Sequence, residues 1–306
     1  MVERARDISG DGRRLSRWTP ARAALLAACV LCACGARPEA AEAPAEEAVV
    51  DTEPTGPSSK LFFIPGELMN FEFRFRDVLV GRAALAVGQP GTVDDRPSLI
   101  VRSQVETAGL GKVFKVVKDD VSTWIDTSVG RPFRQKAELL FGEKDLALDI
   151  RFAGRQVDIT FERRGPQYQG PRKRFARSRR RYRMPDEQFG LDAHAILGAI
   201  RSWEPKRGQK RYFFGVSGRR VWYTELTASG SDTRRTKMGM YPVLRFDGVA
   251  ERLTYRMVVD DRRKPRTFTM WLSDDANRLP LLIEGKTEYG DVAIELIDYQ
   301  KTGTVP

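Results

Sequence analysis

The stretch LMNFEFRFRD, residues 68–77, decides how the folded part of the chain is read. Phe71, Phe73 and Phe75 fall on one parity, and Glu72, Arg74 and Arg76 on the other. Side chains of an extended chain alternate between two sides, so this pattern specifies a half-buried strand. VLVGRAALAVG follows at once, and its Gly81 suggests a bulge or bend. SLIVRSQVET, KVFKVVKDDVSTWID, RQKAELLFG, LALDIRFAG and QVDITFERR continue the series, separated by glycine-bearing turns.

The later half repeats the style in RYFFGV, RRVWYTELTA, YPVLRFDG, RLTYRMVVDD, RTFTMWLSDD, LLIEGKTEYG and VAIELIDYQ. Tyr289-Gly290-Asp291, between the last two, reads as a tight hairpin in which Gly supplies the positive φ. About thirteen or fourteen strands are expected, at the roughly 8–12 residue spacing of a barrel or sandwich. Few segments are long enough to serve as parallel crossovers, so the sheet should be mainly antiparallel and meandering. DEQFGLDAHAILGAIRSW differs: Leu191, Ile196, Leu197 and Ile200 stand at helical spacing, which predicts a helix over 190–203. The expected fold is mainly β: a long antiparallel meander curled into an incomplete barrel or sandwich, its open face covered by one helix.

The residues before position 61 read differently. Arg13, Arg14, Arg17 and Arg22 precede an unbroken apolar run from Ala23 to Ala33. That run is shorter than the roughly 20 residues of a spanning helix and has the length of a signal peptide's hydrophobic region. Leu31-Cys32-Ala33-Cys34 then resembles the bacterial lipobox. The resemblance implies a diacylglyceryl group on Cys34, cleavage before it and an acylated new amino terminus, and several acyl chains make a stable anchor. Pro, Ala and Glu dominate Gly35 to Lys60, which has no aromatic residue and too little apolar surface to offset its ordering entropy. Hence 1–33 is expected to be a lipoprotein signal peptide, 34–60 the lipidated cysteine and a disordered tether, and 61–302 one β-rich domain.

At 306 residues, 41% hydrophobic and 30% charged, the chain has the composition of a globular protein with a substantial core. All three cysteines, Cys29, Cys32 and Cys34, precede position 35, so the body of the chain has no disulfide, redox pair or cysteine-based zinc site. Six arginines face three acids over 1–33, and two cations face six acids over 34–60. With +11 for the whole chain, +3 over 1–33 and −4 over 34–60, residues 61–306 carry +12, so the folded part is basic and its tether acidic.

FIPGELMNFEF at 63–73, VGRAAL at 80–85, KDDVSTWID at 118–126, LDAHAILGAIRS at 191–202 and LSDDANRLPLLIEG at 272–285 together resemble the bacterial family known as domain of unknown function 3108. The resemblance spans most of 61–300. It implies an exported envelope protein with an antiparallel sheet curled about a helix, and it brings neither an activity nor catalytic residues.

Candidate chemistry is sparse. His194, the only histidine, stands beside Asp192, and a Ser-His-Asp arrangement would need a serine from elsewhere, with no GxSxG elbow to supply it. A structural or surface role for His194 is the simpler reading. The acidic pairs Asp119-Asp120, Asp260-Asp261 and Asp274-Asp275 border strands or turns, and strand neighbours point to opposite faces, which suits turn chemistry better than glycoside hydrolysis or calcium binding. Asp274 and Asp275 are expected to cap a turn before the Pro280 strand. Beyond position 34, no phosphate loop and no CxxC or HExxH metal pattern appears.

The strongest charge signal is RKRFARSRRRYR at 172–183, where Arg172, Lys173, Arg174, Arg177, Arg179, Arg180, Arg181 and Arg183 occur with no acid. It is expected to be a solvated loop between the last strand and the helix, with polyanion binding as its functional alternative. An exported protein rarely meets nucleic acid, so lipid phosphates, lipopolysaccharide or acidic polysaccharide fit that chemistry instead. The expected function is a membrane-anchored, periplasm-facing lipoprotein, at the outer membrane in preference to the inner. It would be a non-enzymatic binding or scaffold module for a lipid, glycan or envelope partner protein. The alternative is an envelope hydrolase acting on glycan or ester bonds.

Overall fold

The computed structural model describes residues 62–111, 116–168, 176–287 and 290–301. One sheet of sixteen strands organises them. The first half contributes β1 (Glu67–Phe75), β2 (Val78–Val87), β3 (Gly91–Val93), β4 (Arg96–Thr107), β5 (Val117–Asp126), β6 (Arg131–Phe141), β7 (Lys144–Ala153), β8 (Gln156–Arg164) and β9 (Arg177–Arg183). The short β10 (Gly190–Asp192) leads into helix α1 (Ala193–Arg201). Then come β11 (Lys210–Ser217), β12 (Arg220–Thr236), β13 (Gly239–Arg252), β14 (Arg266–Ser273), β15 (Pro280–Thr287) and β16 (Gly290–Lys301).

The spatial order is β10-β11-β12-β13-β14-β15-β16-β1-β2-β4-β5-β6-β7-β8-β9, with β3 folded onto β4. The last strand thus pairs with the first in mid-sheet. All pairings are antiparallel except β10 with β11, which is parallel over three residues. The expected meander is therefore present, and the two ends of the path stay unpaired with each other. Two-residue turns at Arg76-Asp77 and Asp94-Asp95, all four residues with positive φ, turn the chain between β1 and β2 and between β3 and β4. That backbone matches the right-handed twist of a hairpin, and Asp tolerates it better than most residues. The register of β1 against β2 shifts opposite Gly81, so the bulge expected there is real.

Parity builds the core. Met69, Phe71 and Phe73 of β1 face inward while Glu72 and Arg74 do not, and the same alternation runs through β5 and β8. Each large apolar side chain so buried contributes about 1.5–3 kcal/mol. One cluster packs α1 residues Ile196, Ala199 and Ile200 on Phe246, Phe268 and Met270. A second fills the middle of the sheet around Met69, Val101, Leu281 and Leu296. A third joins Ile159, Phe161 and Tyr182 from one end of the path to Val216 and Val221 from the other. Side chains, not a hydrogen-bond ladder, close this seam.

Sequence periodicity missed three elements. The helix spans 193–201 rather than 190–203, because residues 190–192 pair with β11 and Asp192 then caps α1 by accepting from the Ala195 amide. β3 and β10 have three residues each, too few for a period. Residues 177–183 form an edge strand rather than a loop, since every residue from Arg177 to Arg183 is in register with β8.

The far end of α1 is fixed by a buried ion pair. Arg201 donates to both Glu67 carboxylate oxygens (2.6 and 2.9 Å) and to the Asn277 carbonyl (2.9 Å), over the Phe62 ring. Both side chains are fully buried, so removing one partner strands a charge away from water. Glu67→Ala is expected to lower unfolding free energy by about 3–5 kcal/mol, and Glu67→Leu combined with Arg201→Met to recover most of it. Chemical denaturation of the three proteins checks this.

Candidate functional site

α1 lies in the curl of the sheet, and a cavity of about 130 Å³ separates part of it from the concave face. Phe71, Phe73, Leu85, Val105, Leu197 and Ile294 give it an apolar lining, and Ser103, Gln135, His194 and Ser217 are the polar groups on its wall. The polar groups on the helix side form a network. Thr123 Oγ donates to Asp192 Oδ2, which also accepts from Gln135 Nε2 at 2.6 Å. His194 Nδ1 lies 2.8 Å from the Thr123 hydroxyl and Nε2 lies 2.9 Å from Ser103 Oγ. The Thr123 proton is committed to Asp192, so Nδ1 carries the imidazole proton and the neutral ring accepts from Ser103. Burial lowers the His194 pKa, opposed by the nearby Asp192 charge.

The fold thus supplies the serine that a Ser-His-Asp arrangement needs, but not in working order. Asp192 is 3.9 Å from His194 Nδ1, with Thr123 hydrogen-bonded to both. Ser103 sits on β4 between β2 and β5, its backbone in register with both, so its own amide is committed to the sheet. The network ties the start of α1 to β4, β5 and β6, with His194 buried within it.

The acidic pairs do not converge. Asp120 faces outward and pairs with Arg102 at 2.5 Å, beside an outer groove of about 600 Å³ whose Asp149 is likewise held by Arg134. Asp260 is locked by Arg252 and Arg262, which together hold its pKa far below the usual carboxylate range. Asp275 accepts from Ser273 Oγ and from the Asn277 and Arg278 amides, and Asp274 pairs with Arg278 at 2.8 Å, so these two cap the turn before Pro280 as expected. Asp119 points inward from β5, where no described residue offers it a hydrogen bond, and burial raises its pKa to about 7.

Of the basic run, Arg172, Lys173 and Arg174 lie outside the described residues, as do Cys34 and the signal-like and tether segments. The remainder is divided by strand parity. Arg177, Arg179, Arg181 and Arg183 face outward, where Arg179 and Arg181 both pair with Asp158 (3.1 and 2.8 Å). Arg180 faces inward and donates to the Arg219 carbonyl at 3.2 Å. Charged side chains on an edge strand also discourage pairing with other chains.

An open antiparallel sheet curled about a buried helix defines a β-barrel-like protein. The chain belongs to the family described as "Protein of unknown function (DUF3108)", whose model matches residues 70–297. This agrees with the resemblance read from the sequence. A β-barrel-like protein of domain of unknown function DUF1849 from Brucella abortus has a similar fold, at TM-score 0.50 and 10% identity over 79% of this chain and 100% of that one. Two further solved structures, each aligned over 79% of this chain and all of its own at 7% identity, are a Bacteroides fragilis protein described as exported with a YmcC-like fold (TM-score 0.35) and a Parabacteroides distasonis protein described as a lipoprotein (TM-score 0.34). No curated protein matches the chain.

Asp119 gives a signed pH dependence. Its raised pKa means that the native state keeps a proton that the unfolded chain loses near 3.8, so its contribution to stability is complete below that value and is lost as pH rises through about 7. Asp119→Asn removes the effect. Relative to wild type, the variant should gain about 1.4 kcal/mol per pH unit between those limits, which denaturation at about pH 3, 5 and 8 would measure.

Proposed function

We propose that the protein is an exported lipoprotein, anchored through Cys34, whose β-rich domain binds a short hydrocarbon segment, such as the end of an acyl chain, in the cavity beside α1 without chemically altering it. The observation that carries this reading is the cavity itself: an interior space with phenylalanine, leucine and valine on its walls and only a few polar groups, each short of a reactive arrangement. Apolar contacts there favour a hydrocarbon over a sugar, whose hydroxyls would need partners that the walls do not supply. A lipid anchor and an acidic tether would keep such a domain near the membrane while leaving it free to turn. The hydrolase alternative loses support from the separate placement of the acidic pairs and from the Thr123 hydroxyl standing between Asp192 and His194.

Mass spectrometry of the protein purified from membranes tests both halves. The expected result is a mature chain beginning at acylated Cys34, with lipid in its organic extract. Ala193→Phe, which projects a ring into the cavity, should fold and lose the extracted lipid. An unprocessed amino terminus would contradict export through a lipobox, equal lipid in both proteins would contradict the cavity, and covalent labelling of Ser103 by a fluorophosphonate would restore the hydrolase.

A further inference from the structure

The connection from β13 to β14, residues 253–265, carries apolar side chains on its outside. Tyr255, Val258 and Val259 are 66%, 58% and 39% exposed. Single exposed hydrophobic residues are ordinary, but three within five positions make a patch that calls for a cover. The connection is well tied. Leu253 is bridged to Val259, the Thr254 amide donates to the Val258 carbonyl at 2.8 Å, and the Met257 amide donates to the Thr254 carbonyl at 3.1 Å. Met257 has a φ of 61°, a left-handed value uncommon outside glycine, and packs with Leu253 on the third core cluster. The Tyr255 ring lies 5.7 Å from the ring of the buried Tyr182. This turn is therefore a braced tip that sends two apolar side chains into the core and holds three outside.

The charges of the same connection are sorted as well. Asp260 is buried and taken by Arg252 and by Arg262, the latter at 2.9 Å. Beyond that cluster the exposed charges are Arg256, Arg263 and Lys264 against Asp261, three cations to one acid. An apolar tip with a tyrosine, flanked by long cationic side chains, has the chemistry of a bilayer boundary. The ring and the valines suit the region just under the headgroups, and Arg and Lys reach lipid phosphates from stems that lie along apolar surface. A second copy of the chain would bring the same cations to the contact and repel it, whereas an anionic lipid surface offers the opposite charge.

We propose that this tip is a membrane-contact element, which inserts Tyr255, Val258 and Val259 into an anionic lipid surface while Arg256, Arg263 and Lys264 hold the phosphates around it. The contact gives the domain a fixed orientation on the bilayer. It rests neither on acylation of Cys34 nor on what fills the interior cavity, because every residue that makes it belongs to one connection. It is also separate from the basic run at 172–183.

Photolabelling of the full chain tests the contact. The chain is reconstituted in vesicles of phosphatidylethanolamine, with or without phosphatidylglycerol, that contain a phospholipid bearing a diazirine on its acyl chain. After irradiation, adducts mapped by peptide mass spectrometry should fall on Tyr255 to Val259 in the anionic vesicles. Met240, 58% exposed at the opposite end of β13, should stay free of them. Adducts before residue 61 report the anchor, so failure of the anchor and failure of the tip are told apart. Leaving out phosphatidylglycerol, or changing Arg256→Ser, Arg263→Ser and Lys264→Ser together, should cut the tip adducts about tenfold or more, and added salt should cut them too. Tyr255→Ser with Val258→Ser should reduce them by a similar factor. The cation variant, which leaves Leu253 and Met257 in place, carries the comparison if the apolar one unfolds. Absence of tip adducts, equal labelling in both vesicle types, or labelling of Met240 to the same extent would overturn the proposal. So would a dimer in detergent that Tyr255→Ser with Val258→Ser disperses, since the patch would then belong to a second copy of the chain.

Discussion

A helix of nine residues is too short to persist alone, so α1 depends on what holds it in the curl of the sheet. It is held at both ends by polar contacts to distant strands. Asp192 caps the first turn and ties it to Thr123 and Gln135 on β5 and β6, while His194 ties it to Ser103 on β4. Nine residues along, Arg201 is clamped by Glu67 at the start of β1. Between these points the helix buries Ile196, Ala199 and Ile200 against the β11–β14 side. Leu197 and Ala193 are left toward the opposite wall, and the cavity lies there. The interior space is thus a consequence of a helix anchored at two points and packed on one side.

The same constraint explains why a sheet can remain open and still have a closed core. A barrel would satisfy its edges by pairing the first strand with the last, but here first and last pair in mid-sheet and leave β9 and β10 at the ends of the path. Hydrophobic contacts among Ile159, Tyr182, Val216 and Val221 draw the ends together, and the Tyr182 hydroxyl donates a hydrogen bond to the Arg219 carbonyl at 3.1 Å. The edge strand that results carries arginine at most positions, which suits a strand that must not recruit a second chain. Its one inward arginine meets others across the seam.

Strand periodicity was legible because phenylalanine, valine and isoleucine mark one parity so clearly in β1, β5 and β8. The helix was legible for the same reason, and its cap less so, because Asp192 serves β10 before it serves α1. β9 was illegible: with Arg on both parities, only Tyr182 marks a buried face, and the local composition reads as solvated. The polar network was missed although the sequence held a signal for it. Glu67 is in phase with Met69 and Phe71, Ser103 with Val101 and Val105, Thr123 with Val121 and Ile125, and Gln135 with Ala137. A polar residue in step with an apolar row is one that the fold must bury and satisfy.

Amide hydrogen exchange across α1 tests the two-ended attachment most directly. The amides of Ile196 to Arg201 should exchange as slowly as those of central β4 and β5, opening only with the whole domain, and both Asp192→Ala and Glu67→Ala should speed them ahead of the sheet. Rapid exchange of α1 in the unaltered protein, while the sheet stays protected, would mean that the helix comes and goes without the fold and that the account given for the cavity is wrong.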